Sequence, residues 1–298
     1  MRLRALVRLP AAALVVAGLA YGGASAVIIE RVTRAVRTPI DGTPADLGLG
    51  YESVVFESAT DRVRLRGWYL PAQGRRAIIF VHGIDKNRWD SWEHIPQKAR
   101  MFVEHGFDVL AFDLRGHGES GGERLGFGWL ERRDVQGAVA FVQQRGIPAG
   151  RIGLQAHSYG AAVGLLSAGI VPDIGGVVAD SGFADVRSLV ERELQLRGFP
   201  PIFAAGISLG ANRLYGISLD DIAPENQVWR IAPRPVLFIH GTADERIPVD
   251  NSYRLYAAAR NPAAELWIVP AAAHVQAFTV DPEVYSERVL AFFDRSLR

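Results

Sequence analysis

An α/β chain with a doubly wound, mostly parallel sheet is what this sequence predicts, on three observations. Continuous apolar runs at 77–81, 109–112, 152–156, 176–179, 236–239 and 266–269 have the uninterrupted character of parallel strands covered on both faces. Helical patterns at 92–105, 130–144, 159–168, 252–259 and 284–293 separate them, and that alternation marks a layered α/β sheet. One run, 151–156, stops at a serine set between small residues just before a helical pattern. This predicts a strand, a sharp turn and a helix with Ser158 at the tip.

Taken in order, the chain opens with Arg2, Arg4 and Arg8 ahead of an uncharged stretch from Leu9 to Ile29, long enough to cross a bilayer as a helix. Two readings of residues 1–37 compete. One is an uncleaved signal-anchor. The other is a signal peptide cut near Ala24-Ser25-Ala26, whose small-x-small form suits signal peptidase. The run continues through Val27, Ile28 and Ile29, which favours the anchor. A helix buried in the soluble domain fits worst, because the run is apolar all round. Arg31, Arg34 and Arg37 nearly balance the arginines before the span, so orientation rests on the short tail staying cytoplasmic. The rest of the chain is then membrane-anchored and extracytoplasmic, or secreted if the segment is cleaved. Residues 38–50, with two prolines and three glycines, read as a linker to a domain at 51–298.

Residues 51–58 and 64–70 alternate apolar and polar positions around a turn at 59–62, the pattern of an antiparallel hairpin at the sheet edge. Residues 182–231 do not fit one simple crossover between strands. Phe183, Leu189, Leu194, Phe199, Phe203 and Leu209 make this stretch apolar, and it reads as a small helical cap, about 183–231, that covers something.

Composition removes several classes. Residues 1–37 carry six arginines and one glutamate of the chain's 33 basic and 32 acidic residues, leaving 27 against 31, a balance of −4. No basic stripe remains for nucleic acid. The absence of cysteine excludes disulfides, thiolate zinc sites and a cysteine nucleophile. The segment outside the N-terminus, roughly 250 residues, suits a single domain.

Gln155-Ala156-His157-Ser158-Tyr159-Gly160 has the form of a nucleophile turn. Small residues two positions either side of the serine let strand and helix pack closely, and the turn lifts the hydroxyl clear. The usual pattern is G-x-S-x-G. Ala156 replaces the first glycine, and its methyl is still small. Other segments end predicted strands in the same chain order: Val81-His82-Gly83, Phe112-Asp113-Leu114-Arg115-Gly116-His117-Gly118-Glu119-Ser120, His240-Gly241-Thr242-Ala243-Asp244 and Ala273-His274. On these motifs the chain from about Gly48 onward resembles an α/β-hydrolase, most similar to the serine-aminopeptidase and monoglyceride-lipase-like branch. That resemblance implies the α/β-hydrolase fold, with its antiparallel N-terminal edge and helical cap.

It also implies a set of roles. Ser158 is the nucleophile. His274 is the base, because it alone of seven histidines lies between the last predicted strand and the last helix. Asp244 is the orienting acid, with Asp180 as rival and Asp185 as a weaker one. The backbone N–H groups of Ile84 and Tyr159 form the oxyanion hole. His82, His157 and His240 act as supports. In the Arg-Gly-His-Gly loop, Asp113 and Arg115 hold the loop by hydrogen bonds and an ion pair, and His117 is a candidate for the mouth of the site. No Gly-Lys-Ser/Thr follows, so the loop does not cradle phosphate. Asp85, Lys86, Asn87 and Arg88 either face substrate or begin the next helix.

The expected function is a serine hydrolase that cleaves an acyl bond through an acyl-enzyme. A small ester or lipid-like molecule is its substrate, and no metal or organic cofactor is required. A serine aminopeptidase or thioesterase would use the same residues, with Glu191 or Glu193 available to meet a peptide amino terminus. A binding module that kept the fold and lost turnover is the alternative of another class. Oligomeric state is left open.

Overall fold

The computed structural model describes residues 2–34, 36–196 and 198–298. Side chains of residues 2–12, Val32, Glu193, Leu196, Leu214 and Tyr215 fall outside that description, and with them Arg2, Arg4, Arg8 and Glu193 of the sequence reading. Helix α1 (Arg2–Val32) is followed by strands β1 (Glu52–Glu57), β2 (Arg64–Leu70) and β3 (Ala77–Val81). The chain then alternates α2 (Ile95–Glu104), β4 (Asp108–Phe112), α3 (Arg132–Gln144), β5 (Ile152–His157), α4 (Tyr159–Ala168) and β6 (Ile174–Asp180). Helices α5 (Val186–Leu196) and α6 (Ile202–Tyr215) form the excursion before β7 (Val236–Gly241). After it come α7 (Asp250–Ala259), β8 (Ala264–Val269), α8 (Ala277–Val280) and α9 (Pro282–Ser296).

The strands make one eight-stranded sheet in the order β1-β2-β4-β3-β5-β6-β7-β8. β1 pairs antiparallel with β2, and β2 with β4; the remaining pairs are parallel. The predicted edge hairpin and parallel strands are therefore as the apolar patterns place them. From β3 the chain crosses to β4 on one side and returns to β5 on the other, so strand order reverses at β3. Such a switch point leaves a crevice at the carboxyl ends of the strands.

Alternate strand residues feed two cores. Ile79 and Val81 join the cluster under α3 and α4, whereas Ile78 and Phe80 join the cluster under α2 and α9. The pattern at 92–105 becomes helical only at Ile95. His94 is left-handed at φ 55°, and the Asp90 carboxylate accepts the Glu93 N–H at 2.9 Å, which holds 90–94 in turns.

Helix α1 is not detached from the domain. Tyr21 stacks on Phe203, ring centroids 5.5 Å apart, and its hydroxyl donates to the Ile202 carbonyl at 2.6 Å. A Cβ at Gly206 would lie 2.3 Å from Ser25 Oγ, and one at Gly210 would lie 2.2 Å from Ile29 Cδ1. Two glycines four residues apart thus let α6 lie against the last turns of α1. The residues read as a linker also meet the domain, with Ile40, Leu47 and Leu49 packed on the second core.

Two buried ion pairs lock the β4–α3 loop. Arg88 Nη1 binds Asp113 at 2.5 Å, and Arg115 Nη2 binds Asp134 at 2.7 Å. Arg115 also reaches Asp61 at 2.7 Å. Burial pushes the Asp134 carboxyl up to about 7 even against the pull of Arg115. Removing Asp134 leaves the buried Arg115 guanidinium with only the more exposed Asp61 as carboxylate partner. Asp134→Ala is expected to lower stability by about 3–5 kcal/mol in chemical denaturation.

Candidate active site

β5 ends and α4 begins around Ser158, so this residue must turn the chain. Its backbone has a positive φ, at φ 53° and ψ −119°, a conformation that costs a residue with a side chain on the order of 1–3 kcal/mol. Close packing holds it there. A Cβ on Gly160 would lie 2.1 Å from the Val81 carbonyl oxygen, so only glycine fits where α4 passes β3. The Ala156 methyl faces α4 at Gly164, where a Cβ would come within 3.1 Å of it. The alanine that departs from G-x-S-x-G is accommodated by a second glycine one turn along the helix. Ser158 N–H donates to the Asp180 carbonyl at 2.8 Å, which ties the turn to β6.

The structure brings Ser158, His274 and Asp244 together from three loops. His274 Nε2 is 2.8 Å from Ser158 Oγ, and its Nδ1 is 2.7 Å from Asp244 Oδ2. A carboxylate can only accept, so Nδ1 carries the proton and Nε2 accepts from the serine hydroxyl. Asp244 Oδ1 accepts the N–H groups of Arg246 and Ile247 at 3.0 and 2.8 Å. Burial alone would raise this carboxyl. The bonds from His240, His274 and Ile247 outweigh it and hold the group well below the usual carboxylate range. His240 props the loop: its Nε2–H donates to the Ile247 carbonyl at 2.8 Å, and its Nδ1 accepts from Ser252 Oγ at 2.6 Å. The rival acids lie elsewhere. Asp180 is bound to Ser181 and Tyr285, and Asp185 to Ser188 and Arg254.

Tyr159 directly follows the serine, and the β3 loop runs beside it, since a Cβ on Gly83 would lie 3.4 Å from Ser158 Cβ. Among the described residues, the N–H groups of Ile84 and Tyr159 have no hydrogen-bond acceptor. Both N–H groups are therefore free to donate.

Beneath the loops lies a polar layer. Both oxygens of Glu93 accept from Gly83 N–H, at 3.0 and 3.2 Å. Lys98, fully buried, donates to His157 Nε2 at 2.9 Å. Burial drives the Glu93 carboxyl up and the Lys98 ammonium down. These two residues were not singled out in the sequence, where a charged pair on a helical pattern reads as a solvated face. His82 Nδ1–H donates to the Gly83 carbonyl at 2.8 Å, and its Nε2 accepts from Leu114 N–H at 3.0 Å. His117 is fully buried, not at the mouth of the site. Its Nδ1–H donates to the Arg115 carbonyl, and its Nε2 accepts from Asp85 N–H at 3.1 Å. Of the four polar residues after Ile84, Arg88 turns inward to Asp113, and the Asn87 side chain accepts from Trp89 N–H at 2.8 Å. Glu191 lies partly exposed on α5, apart from the serine chain of hydrogen bonds.

A model of the alpha/beta hydrolase family matches residues 78–288. The Bacillus subtilis protein YqkD, itself uncharacterised, is 30% identical over 237 residues, which is 77% of this chain and 75% of YqkD. The solved structure of the Pyrococcus furiosus esterase Pf2001 superposes with a TM-score of 0.75 at 26% identity, covering 89% of this chain and 98% of the esterase chain. An acylaminoacyl peptidase from Pyrococcus horikoshii shares the fold, with a TM-score of 0.62 at 19% identity over 83% of this chain and 42% of its own.

The buried histidines make a prediction about acid. Burial lowers His82 from the ordinary 6.5 to about 4 and, with the neighbouring His82 adding to it, His117 to about 3. The unfolded chain takes up these protons first. The contribution of these two histidines to stability is therefore expected to be full above about pH 6.5 and to be lost as pH falls toward about 4, read as the acid dependence of the thermal midpoint that His117→Gln weakens.

Proposed function

The chain belongs to the α/β-hydrolase family, and from that premise we propose that it is a serine hydrolase acting on carboxylic esters. The observation that carries this reading is the chain of hydrogen bonds from Ser158 Oγ through His274 to Asp244, at 2.8 and 2.7 Å. As the serine oxygen attacks the acyl carbon, its proton passes to His274 Nε2. The carboxylate of Asp244 holds the imidazole tautomer and stabilises the imidazolium that forms. Negative charge on the former carbonyl oxygen is met by the N–H groups of Ile84 and Tyr159, donors worth about 3 kcal/mol each in comparable sites. His274 then returns its proton to the leaving alkoxide, and water repeats the sequence to release the acid. An ester asks less of that proton return than an amide does. The similarity to an esterase structure over nearly the whole chain supports the same choice.

We read α5 and α6 as the cap and α1 as a membrane anchor with the catalytic domain outside. The segment Ala13–Arg31 is long and apolar enough to cross a bilayer by length and composition. Leu14, Val15, Val16 and Leu19 are all more than half exposed, which suits contact with lipid. Because α6 lies along the last turns of α1, the cap would sit at the membrane face. Arg192 of α5 donates to the Glu245 carbonyl at 2.6 Å, beside Asp244, so the same cap reaches the catalytic loops. Lipid-like esters fit such a placement.

Two tests follow. A p-nitrophenyl ester series from acetate to palmitate is expected to show turnover that Ser158→Ala and His274→Ala each reduce by about 10⁴–10⁶, the double variant being no worse than either. Wild-type turnover that survives Ser158→Ala would rule out this mechanism. The full chain is expected to stay with membranes through high-salt and alkaline washes; release as a shortened soluble protein would show cleavage instead.

A further inference from the structure

The segment joining α1 to the domain reaches the catalytic loops directly. Asp85, one residue beyond Ile84, is left-handed at φ 57°. Such a backbone is uncommon for a residue with a side chain and persists where its surroundings hold it. All three polar groups of Asp85 are engaged. Its N–H donates to His117 Nε2 at 3.1 Å, its Oδ1 accepts from Val36 N–H at 2.8 Å, and its carbonyl accepts from Thr38 Oγ at 2.6 Å. Two of the three partners thus come from residues 36–38. Between them, Arg37 donates to the carbonyls of His117, Gly118, Ser120 and Gly122 at 2.7–3.2 Å, tying the same segment to the loop that carries His117. Asn87 adds a bond to the Pro39 carbonyl at 3.0 Å.

We infer that residues 36–39 form a clasp that positions the oxyanion loop, with Thr38 and Arg37 as positioning residues for the reaction proposed above, on which this inference rests. The peptide plane that presents Ile84 N–H is coupled to the turn at Asp85. Without the hydroxyl of Thr38 and the N–H of Val36, the Asp85 backbone can relax toward a commoner conformation and turn the donor away from Ser158. An oxyanion donor acts in the transition state more than in substrate binding, so its loss falls on kcat. The clasp lies after Ala24-Ser25-Ala26, so a chain cut there would keep it.

The experiment uses full-length chains carrying Thr38→Val, Thr38→Ser, Asp85→Ala and Asp85→Asn. Thr38→Val is expected to lower kcat about tenfold with KM within twofold, and Asp85→Ala to lower it further. Thr38→Ser and Asp85→Asn retain the donor and the acceptor and are expected to restore most of the rate. A boronic acid, whose tetrahedral adduct needs the same oxyanion donors, is expected to weaken in step with kcat across the four variants. Unchanged kcat and boronate affinity in Thr38→Val, with only a lower thermal midpoint, would overturn the clasp and leave the hydrolase reading intact. A wild-type chain that turns over no ester and takes up no fluorophosphonate would remove both.

Discussion

Ser158 holds a backbone conformation that its neighbours impose, and the rest of the site is arranged around that turn. The glycine at 160 lets α4 pass within contact of the Val81 carbonyl, and the glycine at 164 makes room for the Ala156 methyl. With the helix so close, the serine cannot lie in the strand or in the helix, and its hydroxyl projects toward the loops at the carboxyl ends of β3, β7 and β8. The parallel sheet, with its order reversing at β3, brings those loops to one edge.

The same device recurs in the loops after β3 and β8. Asp85 follows the β3 strand at φ 57°, and Val275 follows His274 at φ 57°. A β-branched residue rarely adopts that backbone. Val275 is held by its N–H bond to Ser181 Oγ at 3.0 Å, as Asp85 is held by Val36, Thr38 and His117. Local strain at three loops is thus opposed by hydrogen bonds from the fold, which fixes the geometry before any substrate arrives. The buried layer of His82, Glu93, Lys98 and His157 extends that rigidity beneath the loops.

Much of this was legible in the sequence because it rests on local patterns. Continuous apolar runs show parallel strands, and the small residues flanking Ser158 mark the turn. The positions of Asp244 and His274 follow from strand order. What was not legible depends on long-range contacts. His117 lies in a glycine-rich loop that looks exposed, yet the loop folds back so that the ring accepts from Asp85. Lys98 sits on a helical pattern like any surface lysine and is buried because His157 lies beneath that helix. Residues 36–37 read as the end of the N-terminal segment and 38–39 as linker, while their hydrogen bonds go to residues about 50 and 80 positions away.

The central claim is that Ser158 is activated by His274 and Asp244, and trapping the serine tests it most directly. The full chain is treated with a fluorophosphonate, digested and mapped by mass spectrometry. A single adduct on the peptide bearing Ser158, lost in His274→Ala, is the expected result. A folded chain that takes up no label, or carries it on another residue, would contradict the account.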